Sequence, residues 1–177
     1  MDKNIVIQEI PERLQQPMAD VINNAIVETF LTVFDVPVIG VEKILHYNLS
    51  KEDLACRVKL IENEAEVDVV FIFAKQLVEN ILGGVYPEEQ LKHDLHTYND
   101  AACEIANIVC AHLKAFLNQK GYDLKMNLPL PVSDLSFETI SRHSINLYFT
   151  LNRDDKDMLV NVRMYRTDED DTATHVA

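Results

Sequence analysis

Two long stretches of this chain repeat apolar residues at the spacing of an α-helix. Residues 18–34 form the first stretch and residues 95–116 form the second. Side chains about 3.6 residues apart share one face of a helix, so each stretch predicts an amphipathic helix. The second helix begins either at Pro87 or at Thr97 and ends near Gly121. Its expected core-facing residues are Leu95, Tyr98, Ala102, Ile105, Ala106, Val109, Leu113 and Phe116.

Strands are predicted where apolar residues alternate with polar ones or run together. Residues 55–61 alternate, residues 67–73 are mostly apolar, and residues 144–151 and 158–165 alternate again. Short polar connections within each pair indicate β-hairpins rather than βαβ units. The predicted fold is therefore α/β in the broad sense (α+β), a mainly antiparallel sheet with two long helices packed on one face.

A shorter helix is expected between the second strand and the second long helix. It covers residues 74–82, and the glycines that follow, Gly83 and Gly84, should end it. One of them would supply the left-handed cap that often closes a helix.

The chain of 177 residues is most simply one domain. We assign residues 1–14 to an N-terminal extension, residues 15–166 to the domain and residues 167–177 to an acidic disordered tail. The apolar runs are shorter than the roughly 20 residues of a membrane span. The amino terminus lacks the pattern of a secretory signal, which predicts a cytoplasmic protein.

The charge and the cysteines exclude several kinds of function. A formal net charge of −13 argues against nucleic acid and anionic membranes as partners. Cys103 and Cys110 are seven residues apart on a helix, too distant to form a disulfide with each other. Together with Cys56, they are predicted to be reduced thiols that pack in the interior.

Four residues form a line on the side of the second long helix that faces away from its apolar residues. They are Asp100, Glu104, Asn107 and Ala111, at positions i, i+4, i+7 and i+11. Asn in the middle of a helix is unfavourable because its amide competes with the backbone, and small Ala111 leaves room for another surface. The pattern fits either an ordinary solvated face or a binding surface.

The motif Asp-x-x-x-Glu-x-x-Asn on a long helix resembles that of the CheC/CheX/FliY phosphatases of bacterial chemotaxis. Residues 73–84 and residues 127–132 are similar to segments before and after the motif helix of that family. The resemblance extends over residues 15–166. The first long helix has Asn24 and Val27 where a second motif needs Glu and Asn, so the chain resembles the one-site, CheX-type members.

The resemblance implies a protein-aspartyl-phosphate phosphatase that acts on a CheY-like response regulator. Asn107 would orient the attacking water, and Glu104 would pair with a basic residue of the regulator. Asp100 and Ala111 would help to bind this partner. The resemblance also implies a homodimer without a cofactor of its own, since the regulator itself holds the Mg²⁺.

One departure from the family leaves an alternative open. Family members often carry Gly in the turn after the Asn, where this chain has Ala111 followed by His112. A non-catalytic CheX-like adaptor that binds a response regulator in two-component signalling is therefore the second hypothesis. His93 and His96 have the spacing of metal ligands, but no fourth ligand accompanies them, so no metal site is expected.

Overall fold

The fold comes from a computed structural model that describes residues 5–44, 50–63, 65–87, 89, 92–133, 144–151 and 156–167. Its helices are α1 (Glu12–Phe34), α2 (Lys75–Val85) and α3 (Leu95–Gln119). Its strands are β1 (Ile5–Gln8), β2 (Val38–Lys43), β3 (Leu54–Ile61), β4 (Ala65–Phe73), β5 (Lys125–Met126), β6 (Leu130–Pro131), β7 (Ile145–Leu151) and β8 (Lys156–Thr167). Within these ranges, no helix combines the length and the apolar composition needed to cross a membrane.

The strands form one sheet with β8 near its middle. The order is β2-β7-β8-β4-β3-β5, and β1 and β6 pair with β8 and β3 respectively. Each of these pairings is antiparallel. The predicted α+β fold with an antiparallel sheet is therefore confirmed, and both predicted hairpins are present as the pairs β3–β4 and β7–β8.

One face of the sheet packs against the helices and makes the main core. Because side chains alternate along a strand, every second residue of β3, β4, β7 and β8 contributes to it. The largest of these side chains that are fully buried include Phe71, Phe73, Phe149 and Leu60. Helix residues such as Phe30, Ile105 and Leu113 meet them from the other side.

The opposite face of the sheet carries a buried polar network. The guanidinium Nη2 of Arg163 donates to Oδ2 of Asp68 at 2.8 Å, across the β4–β8 pair. Nε of Arg57 lies 3.3 Å from Oδ1 of Asp68 in an ion pair without hydrogen-bond geometry. Asn161 donates to Asn146 at 2.6 Å. The network ties the central strands β3, β4, β7 and β8 together through their side chains.

The first part of the chain is joined to the domain. β1 lies along β8, and Ile10 and Leu14 are buried in the main core. Helix α1 begins at Glu12, six residues before the predicted start, and accommodates Pro17 in its interior. The predicted disordered tail lies, apart from Thr167, outside the described residues.

Helix α2 continues through the two glycines that were expected to end it. Gly83 and Gly84 both lie inside the helix, which ends at Val85. Among the described glycines, only Gly121 has a positive φ, at 101°. The predicted glycine cap of α2 is therefore wrong, because the buried side chains of Ile81 and Leu82 hold the last turn against the core.

Helix α3 begins at Leu95 with Asp94 as its N-cap, so neither predicted start, Pro87 or Thr97, is right. Oδ1 of Asp94 accepts a hydrogen bond from the backbone N–H of Thr97 at 2.8 Å. This bond satisfies one of the free donors of the first turn. Leu95 is 63% exposed, which contradicts its predicted place in the core, since this first turn precedes the part packed on the sheet. The helix ends before Gly121, as predicted.

Candidate functional site

The line of four residues on α3 lies on the outer surface of the molecule. Asp100, Glu104 and Ala111 are exposed, and Asn107 is half-buried. The opposite side of the same turns is buried in the core by Ala102, Ile105, Ala106 and Val109. Packing against α1 and β3 therefore fixes the rotation of α3 about its axis. As a result, a carboxylate and a carboxamide one turn apart point away from the core.

Asp100 has a partner on its own helix. Its Oδ2 lies 2.9 Å from Nδ1 of His96, one turn earlier, and both side chains are largely exposed. The pair has little stabilising value because water screens exposed charges. It leaves the carboxylate of Asp100 accessible at one end of the line.

The histidines that were considered as metal ligands have other contacts. Nδ1 of His93 lies 3.0 Å from the hydroxyl oxygen of Tyr98, and His96 pairs with Asp100. Tyr98 also lies beneath the ammonium group of Lys75, 5.7 Å from the ring centre. In the described part of the chain, no three His, Cys, Asp or Glu side chains are arranged to hold a metal ion.

Helix α1 does not present a second site of the same chemistry. Its residues at the corresponding spacing are Asp20, Asn24 and Val27, and all three are exposed. Val27 has no polar group to orient water, and Asn24 lacks the charge of Glu104. The acid–amide pair of the motif is therefore found on α3 and not on α1.

The three cysteines are free and lie in or against the main core, as the sequence predicted. Cys56 on β3 and Cys110 on α3 are buried, and Cys103 on α3 is half-buried. Burial raises the pKa of the Cys56 and Cys110 thiols well above their usual range, and it also raises that of Cys103.

The fold was compared with known proteins. CheX from Vibrio vulnificus superposes with a TM-score of 0.63 at 12% identity, over 84% of this chain and 99% of CheX. The structure of the CheX–CheY–BeF₃–Mg²⁺ complex from Borrelia burgdorferi gives a TM-score of 0.64 at 16% identity, over 83% of this chain and 97% of the matched chain. FliY from Thermotoga maritima gives a TM-score of 0.53 at 14% identity, over 86% of this chain and 90% of FliY. The chain has the CheC/CheX/FliY fold.

The comparison confirms the resemblance noted in the sequence at the level of the fold. The likeness extends over nearly the whole length of these proteins and not over an isolated motif. No family sequence model matches the chain, and no curated protein matches it by sequence. The likeness to these proteins is therefore one of fold, at 12–16% sequence identity.

Proposed function

We propose that this chain is a CheX-like phosphatase that hydrolyses the aspartyl phosphate of a CheY-like response regulator. The observation that carries the proposal is the exposed line of Asp100, Glu104, Asn107 and Ala111 on α3, in a fold shared with chemotaxis proteins. Among the structures with this fold is a CheX crystallised with CheY, BeF₃ and Mg²⁺. We therefore propose that this surface binds the CheY-like domain of a response regulator, called the receiver domain below.

The proposed reaction requires little chemistry from this chain. An aspartyl phosphate is hydrolysed when a water molecule is held in line with the leaving carboxylate and a cation neutralises the phosphoryl oxygens. The receiver domain would supply the cation, Mg²⁺, and the phosphorylated aspartate. Asn107 would accept a hydrogen bond from the attacking water through its carbonyl oxygen and donate another through its NH₂ group. An amide is not a base at neutral pH, so its contribution is positioning.

Glu104 and Asp100 would hold the partner in register. Glu104 lies one helical turn before Asn107 and is exposed, so its carboxylate can pair with a basic side chain of the receiver. Asp100 lies a further turn away, where its carboxylate already contacts His96. Ala111, on the other side of Asn107, is small enough for the receiver backbone to approach the helix. We place the reaction in the cytoplasm.

The phosphatase proposal is tested with a panel of phosphorylated receiver domains. Wild-type protein should accelerate the loss of phosphate from at least one of them. Asn107→Ala should lower that rate by two to three powers of ten, the equivalent of roughly 3–4 kcal/mol for a positioning group. Asn99→Ala, which removes a half-buried amide from a different side of α3, serves as the matched control and should remain active.

Binding assays distinguish the phosphatase from the adaptor. Glu104→Gln should weaken receiver binding more than Asp100→Asn does, and added salt should weaken binding of the wild type more than that of Glu104→Gln. A chain that binds a phosphorylated receiver while the phosphate decays at its spontaneous rate would be the adaptor. A chain that neither binds nor dephosphorylates any receiver would contradict both hypotheses.

We also propose that the chain works as a homodimer. β2 is an edge strand that pairs with β7 on one side, and its residues Ile39 and Val41 are 56% and 42% exposed. An edge strand with exposed apolar side chains is suited to pairing with another chain. Light scattering after gel filtration should give the mass of a dimer for wild type and of a monomer for Val41→Lys. Leu95→Lys, at an exposed position on α3, is the control and should leave the mass unchanged.

A further inference from the structure

Leu128 is the most exposed large apolar side chain in the part of the chain that the structure describes, at 84%. It lies between β5 and β6, in the segment 127–131 at the edge of the sheet. We propose that Leu128 is an apolar contact for the receiver domain, beside the line of four residues on α3. The inference rests on the proposed function, because it adds a contact to the same partner surface.

A β-bulge at the sheet edge contains Leu128. On one side of the bulge, the backbone N–H of Asn127 donates to the carbonyl oxygen of Lys59 at 2.9 Å. On the other side, Leu130 pairs with Arg57 of β3. Two residues of the segment thus lie opposite one residue of β3, and the extra residue interrupts the ladder. Leu128 is one of these two residues, and the sheet leaves its side chain uncovered.

The chain that follows α3 runs back along the side of the helix that carries the line. Oδ1 of Asn118 accepts a hydrogen bond from the backbone N–H of Leu124 at 2.9 Å, and its Nδ2 donates to the carbonyl oxygen of Leu124 at 3.3 Å. At about 100° per residue, Asn118 lies within roughly 20° of Asn107 and Ala111 around the helix. Both β5 and β6 contact α3. The segment between these two strands therefore follows the same side of the helix.

Leu128 lies near the level of Asn107 along the helix. Asn107 precedes Asn118 by eleven residues, which is about 17 Å at the rise of an α-helix. Leu128 follows Leu124 by four residues, which is about 13 Å for an extended chain. A protein partner covers about 800 Å² on each side, which corresponds to a patch about 16 Å in radius. A receiver centred on Asn107 would therefore also cover Leu128.

Prolines determine how a partner can contact this edge. Pro129 and Pro131 have no backbone N–H, so they cannot donate to a strand of another chain. Edge-to-edge pairing is therefore disfavoured, and side chains are left to make the contact. Because proline also fixes its φ angle, the segment loses little conformational entropy when a partner binds.

The polar line and the apolar side chain together define the kind of receiver that fits. Glu104 and Asn107 need polar groups on the partner, whereas Leu128 needs an apolar surface. The receiver should therefore carry exposed apolar side chains next to its phosphorylated aspartate. Such a contact stabilises the bound ground state and the transition state equally, so it lowers KM without changing kcat.

Affinity and steady-state kinetics test this contact. Binding is measured with a receiver that holds Mg²⁺ and BeF₃⁻, the latter in place of the phosphoryl group. Leu128→Ala should raise both Kd and KM about tenfold, because it removes most of the apolar side chain. Its kcat should stay close to that of wild type. Asn107→Ala should show the reverse pattern, a low kcat with little change in KM.

Leu130→Ala is the matched control. Leu130 is 64% exposed, but its register with Arg57 places it on the face of the sheet opposite to α3. Its Kd should equal that of wild type. Salt gives a second readout, because ionic strength screens charges and not apolar contacts. Added salt should leave the ratio of Kd between Leu128→Ala and wild type unchanged and should reduce this ratio for Glu104→Gln.

The outcomes separate this inference from the proposed function. If Asn107→Ala abolishes hydrolysis while Leu128→Ala binds like wild type, the phosphatase stands and the Leu128 contact is overturned. An equal loss of affinity in Leu128→Ala and Leu130→Ala would also overturn it, since the effect would not be specific to the side of α3. A wild-type chain that neither binds nor dephosphorylates any receiver would overturn the proposed function and the Leu128 contact with it.

Discussion

Asp68 and Arg163 form a buried ion pair on the face of the sheet opposite the helices. Their Oδ2 and Nη2 atoms are 2.8 Å apart, and the side chains are 5% and 11% exposed. Removing one partner of such a pair leaves the other charge buried without compensation. Because α3 packs on the other face of the sheet, the pair should affect stability without touching the candidate site.

We therefore expect Asp68→Ala to lower the free energy of unfolding by about 3–5 kcal/mol. The neighbouring pair of Lys59 and Glu66, 2.7 Å apart but more exposed, provides the control. Glu66→Ala should cost about 1 kcal/mol or less. Urea unfolding of both variants measures the two losses. Equal losses of unfolding free energy would contradict the prediction that burial makes the Asp68–Arg163 pair the larger contributor to stability.

Two glycines should respond to alanine in opposite directions. Gly84 lies inside α2 with open space around the position of a Cβ, so Gly84→Ala should stabilise the protein by about 0.5–1 kcal/mol. Gly121 has φ of 101°, where an alanine is strained, so Gly121→Ala should destabilise it by about 1 kcal/mol or more. Thermal or urea unfolding measures both. A stabilising Gly121→Ala would contradict the positive φ.

Ala111 offers a steric test of the proposed receiver surface. Ala111→Phe adds bulk at an exposed position, so the free energy of unfolding should change by no more than about 0.5 kcal/mol. Receiver binding should weaken at least tenfold, because the ring would keep the partner from the helix. His112→Phe, at the next exposed residue and about 100° further around α3, is the control. Equal affinity in both variants would remove Ala111 from the interface.

Because of its buried thiols, we expect the protein to lose stability at alkaline pH. Burial raises the pKa of Cys110 and Cys56 in the folded protein. In the unfolded chain these thiols titrate near their ordinary pKa of about 8.5, so the folded state binds more protons above that pH. The stabilisation is complete below pH about 8.5 and is lost as the pH rises, by up to about 1.4 kcal/mol per pH unit for each thiol.

Urea unfolding between pH 7 and 10, with a reductant present, measures this dependence. Tyr98 and Tyr165, whose pKa is also raised, begin to contribute near the upper end of this range, so the comparison with Cys110→Ala isolates the thiol. Cys110→Ala should reduce the slope of the unfolding free energy against pH by the contribution of one thiol. A slope that is unchanged in this variant would mean that another group controls the alkaline transition.

The sequence predicted those parts of the molecule that local periodicity determines. The stretch from Asp100 to Asn107 lies on a helix whose apolar repeat is strong, so the outward direction of these residues could be predicted from their spacing alone. The hairpin of β7 and β8 was likewise visible in two alternating runs around a polar connection. In both cases the residues that decide the structure are neighbours in the chain.

The errors arose where the deciding contact is distant in sequence or depends on packing. Gly83 and Gly84 have a weak preference against helix, and burial of Ile81 and Leu82 overcomes it. The pairing of β1 with β8 joins the two ends of the domain, which no single stretch specifies. The roles of Glu104 and Asn107 came from resemblance and remain predictions.

The place of β8 has a consequence for the synthesis of this protein. β8 contacts β1, β4 and β7, so a growing polypeptide cannot complete its sheet until the ribosome has translated residue 167. Pairings between such distant segments also slow folding. Until then, the sheet against which helix α3 packs is incomplete. A nascent chain arrested before β8 should therefore be sensitive to proteases and should rely on chaperones.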